Sequence, residues 1–273
     1  GMAEQHGADA LYLEVEGDQP LLTYAIPLLP GLHFWTSAIG KDGLLFLAVA
    51  LAVWAVMQLR SRLIVFGVAV LIMILIRPHV ALVAVMSLGL SVVFDRNVRK
   101  LVKGGLLGLC LAAGAVVATT LQSTFAVDVT NVDSVQNFFD AQSEITSNID
   151  SGTAVTGASF PVKLVSLLLR PFFYDAEDYF GYIASLENLF ILLIVGTLVF
   201  RIRTLMHATR KLFYIRFALI FFLILTVLLT IVYYNVGLGL RQRIMFMPCL
   251  FACYVAVLAV RQAVNRRLVV SYA

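Results

Sequence analysis

The sequence predicts an all-α protein: a polytopic integral membrane helix bundle of about seven transmembrane helices, with short interfacial helices on the outer face. Three observations lead there. Apolar residues make up 61% of the 273-residue chain and charged residues 13%, where a soluble domain carries about 25% charged. The apolar residues gather into seven runs near bilayer-spanning length, a span needing about 17–25 residues. The charges between those runs are sorted by sign, as the orientation of a membrane protein requires. Mean hydropathy is +0.93.

Residues 1–42 form an outer polar and interfacial segment. Leu11 to Glu16 alternates weakly, and Leu21 to Trp35 reads as interfacial, broken by Pro27 and Pro30, with Trp35 near headgroup depth. Gly1-Met2 reads as a tag scar or a cut from a longer chain, so upstream spans are expected. Residues 43–121 make a four-span half: Gly43–Leu59, Leu63–Ile76, Val80–Phe94 and Gly104–Leu121. Residues 122–185 form an extracytoplasmic loop. Its polar part, 122–160, is rich in Ser, Thr, Asn and Asp, and Asp133 is placed to cap a short helix reaching Glu144. Pro161–Tyr182 is amphipathic and aromatic, the pattern of a segment lying at the interface. Residues 186–273 hold Leu186–Phe200, Phe213–Tyr234, Ile244–Val260 and a cytoplasmic tail. Cys110, Cys249 and Cys253 all lie inside apolar runs, which implies no disulfide framework and no metal site.

Alternate connections hold Arg60 and Arg62; Arg96, Arg99, Lys100 and Lys103; Arg201, Arg203, Arg210, Lys211 and Arg216; and Arg261, Arg266 and Arg267. That places 14 of the 20 basic residues on one side, which the positive-inside rule makes cytoplasmic. Of the 16 acids only Asp95 lies there. A net charge of +4 distributed this way is a topology signal, and no nucleic-acid partner is expected.

Ile76-Arg77-Pro78-His79 interrupts two apolar runs that would together make a helix of about 30 residues, about 45 Å long and too long for a core of about 30 Å. Two short spans joined by a turn fit better, with Pro78 breaking the helix. The turn puts Arg77 and His79 on the outer face, where cations are few. Lys41, Lys163, Arg170, Arg241 and Arg243 are the others, each beside a span end or interfacial segment, together with Glu187-Asn188, Asp42 and Asn235. Arginine's planar fork grips phosphate and stays charged in low dielectric, so several at one depth can hold a lipid-linked diphosphate. His79 can act as general base; Asp42 and Glu187 are rival bases or ion-pair partners. Alternatively, these cations snorkel to headgroups or pair with the outer acids.

His33-Phe34-Trp35-Thr36-Ser37-Ala38-Ile39-Gly40-Lys41-Asp42 before a span resembles a segment of bacterial O-antigen and exopolysaccharide polymerase-like membrane proteins. So do Ile76-Arg77-Pro78-His79, Ser151-Gly152-Thr153-Ala154, Leu169-Arg170-Pro171-Phe172-Phe173 and Ser185-Leu186-Glu187-Asn188. Asn235-x-Gly237 leading to Arg241-Gln242-Arg243 is similar too. The likeness runs in order over roughly residues 30–250. The resemblance implies a bacterial inner-membrane, multi-pass, metal-independent glycosyltransferase with no cofactor. It would join glycan units carried on undecaprenyl diphosphate at the extracytoplasmic face, amid membrane lipid and other polysaccharide-assembly proteins. Carried onto matching positions, Arg77, Arg241 and Arg243 would neutralise the diphosphate leaving group. His79 or Glu187 would take the acceptor proton, and Lys41, Arg170 and Asn235 would shape the cavity. The loop 122–160 would act as a lid.

Two other classes compete. A transporter or flippase of anionic lipid-linked substrates would place ionisable residues and broken helices near mid-membrane; the span interiors read as apolar and unbroken. A non-catalytic membrane scaffold would pair the outer arginines with the outer acids.

Overall fold

The computed structural model describes residues 24, 26–37, 40–95, 99–101, 103–105, 107–108, 137, 158–176, 178–231 and 236–272, the last helix beyond residue 260 by its backbone alone. Among these residues every regular element is helical. A 3-10 turn, Ile26–Leu28, leads into α1 (Pro30–Ser37) and α2 (Lys41–Met57). Next come α3 (Leu63–Ile76), α4 (Pro78–Val93), α5 (Phe160–Leu169), α6 (Tyr179–Phe200) and α7 (Ile202–Lys211). The chain closes with α8 (Phe213–Ile231), α9 (Val236–Arg243) and α10 (Met247–Tyr272). The expected run Gly104–Leu121, the loop 122–160, the Asp133–Glu144 helix and Asn235 lie for the most part or wholly outside the described residues.

The break at Arg77 falls where proline chemistry puts it. Arg77 adopts an extended φ of −146° and ψ of 89°, ending α3 and preceding α4, with Pro78 in the first turn of α4. Proline is tolerated there because the first helical N–H groups have no intrahelical acceptor. α6 starts seven residues before the expected Leu186, because the Asp178 carboxylate caps it by accepting from Gly181 N at 2.7 Å. The single interfacial stretch expected over Pro161–Tyr182 is therefore α5, a loop, and the first turn of α6. α7 also departs from expectation. Its basic connection is a helix that buries Leu205, Ala208 and Thr209 and turns Arg203, His207 and Arg210 outward, a spacing that lines each set along one face.

α8 is the central helix. It packs against α2, α4, α5, α7 and α10, and its Phe217, Phe221 and Leu225 are fully buried beside Phe246, Met245 and Met73. Small residues let helices approach closely: Ala48, Ala52 and Ala55 of α2, Ala69 of α3, Ala84 of α4 and Ala218 of α8 are all buried. Cys249 and Cys253 take the same packing role in α10, both free and buried. The outer surface is the reverse of a soluble protein's. Ile64, Leu75 and Phe200 are 84%, 77% and 91% exposed, a large apolar envelope that water would penalise and lipid would not.

α6 and α8 are long and apolar enough to cross a membrane, and the number rises to four if each of two bent pairs, α1–α2 and α9–α10, counts as one span. At 22 and 19 residues they extend about 33 and 28 Å, matching a core of about 30 Å. α3 and α4, at 14 and 16 residues, extend only about 21 and 24 Å. The architecture is that of a helical membrane protein, with two to four spans by length among the described residues, where the runs of the whole chain predict seven.

Candidate functional site

Three helix ends and two bent joints meet at one end of the bundle: the starts of α2 and α4, the end of α3, and the α1–α2 and α9–α10 joints. Asp42, in the first turn of α2, is the acid at their centre and is buried. Its Oδ1 accepts from Arg77 Nη2 at 3.3 Å and its Oδ2 from Arg241 Nε at 2.5 Å. Arg77 and Arg241 therefore stand on either side of one carboxylate. Two guanidiniums sharing one acid leave one positive charge over, and Arg241 keeps 44% of its side chain exposed. Burial pulls the Arg77 guanidinium below its ordinary value, while Asp42 holds it charged and Arg241 repels it. The arrangement suits an anion that approaches from the Arg241 side.

Glu187 and Arg243 form a second, deeper centre. Arg243 Nη2 lies 3.6 Å from Glu187 Oε1, with the two side chains 3% and 6% exposed, and Arg243 Nη1 also reaches Leu168 O of α5 at 3.5 Å. Glu187 Oε2 accepts from Gly31 N of α1 at 2.5 Å. Gly31 suits that contact: a Cβ there would stand 2.5 Å from Oε2 and 2.8 Å from Oε1, so the carboxylate would have to shift. A buried pair of this kind is tolerated only when hydrogen bonds satisfy what the partner does not. Gly31 and Leu168 supply them.

Beside this pair opens a cavity of about 870 Å³ between α1, the loop after α5, the start of α6, α9 and the start of α10. Its volume is in the range of small-molecule sites. Phe34, Trp35, Phe180 and Phe251 line it with rings, Asp175, Asp178, Glu187 and Arg243 with charge. Asp175 is fixed by Arg170, whose Nε donates to Oδ2 at 3.0 Å while Nη2 donates to Oδ1, and by Phe172 N at 2.9 Å. The Arg170 hydrogen bonds hold the Asp175 carboxyl below its ordinary value against the opposing effect of burial. Pro171, after a cis peptide bond, accepts from Asn188 Nδ2 at 2.7 Å, tying this loop to α6.

Of the residues expected to act together, Arg77, Arg241, Arg243 and Glu187 do gather at this end, in two centres rather than one. Arg241 and Arg243 are two residues apart on α9, so about 200° apart around it, and face different partners. His79 is exposed and joins no described residue by hydrogen bond or ion pair; Arg77 is its electrostatic neighbour. It does not line the cavity. Lys41 is exposed on the first residue of α2, and Lys163 is half-buried on α5. Arg170 serves the loop through Asp175. Gly31 and Asp175 were missed from sequence, and Asp42 was weighed only as a rival base or ion-pair partner. The bent joints α1–α2, at 114°, and α9–α10, at 61°, fall at or just before the starts of the expected spans Gly43–Leu59 and Ile244–Val260.

At the opposite end Arg216 closes two helices. It donates to Ser91 O and Thr209 O, each at 2.9 Å, to Arg210 O at 3.3 Å and to Asp95 at 3.4 Å. Arg62 donates to Trp54 O at 3.0 Å and lies 3.9 Å from the centre of the Trp54 ring.

The fold and this constellation define a helical membrane protein with paired arginine–carboxylate centres at one end. No protein-family model matches the chain, and neither the curated proteins nor the solved structures contain a match.

Proposed function

We propose that the chain is a multi-pass membrane glycosyltransferase with about seven spans, joining lipid diphosphate-linked glycan units at the extracytoplasmic face during surface polysaccharide synthesis. The observation that carries the reading is the convergence of Arg77 and Arg241 on Asp42. Two guanidinium forks at one depth, one of them half open, are the donor set a diphosphate needs. Charge grows on the leaving oxygens as the glycosidic bond breaks, and pre-placed cations stabilise it without reorganisation. Glu187 is the better base of the two expected. It lines the cavity, whereas His79 does not. Arg243 positions the Glu187 carboxylate, and Lys41 contributes positive charge at the rim. Undecaprenyl diphosphate-linked oligosaccharide is the proposed substrate and the bacterial inner membrane the proposed location.

The test is Arg77→Ala and Arg241→Ala in cells that make the polymer. Loss of the polysaccharide length ladder with normal membrane abundance is expected; intact ladders in both variants would sink the polymerase reading. A scaffold without chemistry is favoured by one observation: Arg77, Arg241, Arg170 and Arg243 all lie against a carboxylate. On that reading Asp42→Asn destabilises the protein and no arginine variant changes anything but its abundance.

A further inference from the structure

The charges on the two faces of α9 are not equivalent. On the Arg241 face, Arg77 and Arg241 outnumber Asp42. On the cavity face, Asp175, Asp178 and Glu187 outnumber Arg243; counting Arg170, which pairs with Asp175 from behind, still leaves the acids in excess. A diphosphate is drawn to the first face and repelled by the second. The cavity nonetheless has the chemistry of a ligand site: aromatic side chains from Trp35, Phe180 and Phe251 line it together with carboxylates. Asp178 Oδ1 is used by the Gly181 N–H, which leaves Oδ2 to accept. A pyranose ring has an apolar C–H face that covers an aromatic surface and hydroxyls that donate to carboxylates.

We infer that the cavity is a saccharide subsite that admits uncharged or amino-substituted sugars and rejects acidic ones. This rests on the proposed glycosyltransferase reading and names the class of glycan it handles. The specificity follows from the acids: a uronate entering the cavity meets carboxylates already in excess, whereas a hydroxyl or ammonium meets acceptors. Discrimination then arises from repulsion of the wrong sugar as much as from attraction of the right one.

The chain has two tryptophans, and only Trp35 lines the cavity; Trp54 sits on α2 against Arg62. Trp54→Phe therefore leaves one reporter at the site. The purified full chain in lipid nanodiscs is titrated with maltotriose, tri-N-acetylchitotriose, chitosan trimer and trigalacturonate, and Trp35 fluorescence is read. A saturable change with at least one of the first three is expected, with trigalacturonate at least about tenfold weaker, the factor that 1.4 kcal/mol represents. Asp178→Asn, which keeps a good helix N-cap, should narrow that gap several-fold. Trigalacturonate binding as tightly as the neutral trimers overturns the inference, and so does the absence of a response to every saccharide. Farnesyl diphosphate binding, measured in parallel by calorimetry with and without Arg241→Ala, separates the two failures. If the diphosphate binds through Arg241 while no saccharide binds, the subsite falls and the proposed function keeps its diphosphate site. If saccharides bind and the diphosphate does not, the reverse holds.

Discussion

Replacing Gly31 by alanine tests whether the α1–α6 contact is built around the Glu187 carboxylate. The new Cβ would stand 2.5 Å from Oε2, where ordinary contact begins at 3.4 Å, so the carboxylate must retreat by most of an ångström. The other carboxylate oxygen is paired with Arg243 at 3.6 Å, and the retreat disturbs that pair. Moving the carboxylate also breaks the 2.5 Å bond from Gly31 N. A hydrogen bond to a charged group contributes about 1.5–3 kcal/mol and overpacking costs about 1–3 kcal/mol. The two describe one displacement, so the expected loss is about 2–3 kcal/mol. The control background is Glu187→Ala with Arg243→Met, which removes the obstacle without leaving a lone buried charge. There Gly31→Ala is expected to be neutral or to stabilise by up to about 1 kcal/mol, because alanine is the better residue inside a helix. Reversible unfolding in mixed detergent micelles, followed by helical circular dichroism, reads both differences. An equal loss in the two backgrounds would show that the clash is not with Glu187 and would refute the reasoning.

Glu187→Gln alone takes the carboxylate from a pair whose members are 3% and 6% exposed, and should cost about 3–5 kcal/mol in the same assay; adding Arg243→Met should recover much of it. The acid limb of stability should respond to Asp175. Its folded value lies below its ordinary 3.8, so its contribution is complete above that value and is lost as pH falls through the lower folded one. Asp175→Asn should flatten the decline below about pH 4, while an unchanged limb would rule out this pairing as its source. Orientation is checked with impermeant thiol reagents on intact cells: Asp140→Cys and Gly237→Cys should label and Met206→Cys should not. The reverse pattern would put the arginine end in the cytoplasm.

Helix positions were legible where local chemistry sets them. The break between Ile76 and Pro78 follows from proline, and α3 runs over the expected Leu63–Ile76. The start of α6 was not, because Tyr179 to Ser185 reads as interfacial aromatic sequence and only the Asp178 cap reveals the helix. Depth sorting of charges also reached across the chain: it singled out Arg77, Arg241 and Arg243, and Arg77 and Arg241 do meet. It could not divide them into two centres, because which way Arg241 and Arg243 face depends on what packs on either side of α9. The placement of His79 was equally illegible. It is exposed two residues beyond Arg77, at the start of α4, and lines no part of the cavity. Gly31 carries no local signal at all, since its importance lies in a contact 156 residues away.

That remoteness bears on how the protein is made. Asp42 meets Arg77 after 35 residues but Arg241 only after 199. At about 5–20 residues per second the second partner emerges roughly 10 to 40 s after the acid does. Through that interval the nascent chain can already match the charge of Asp42 one-for-one with Arg77, across a hairpin complete in itself. Arg241 then arrives as the surplus cation. In the order of synthesis Asp42 thus has a partner well before Arg241 is made.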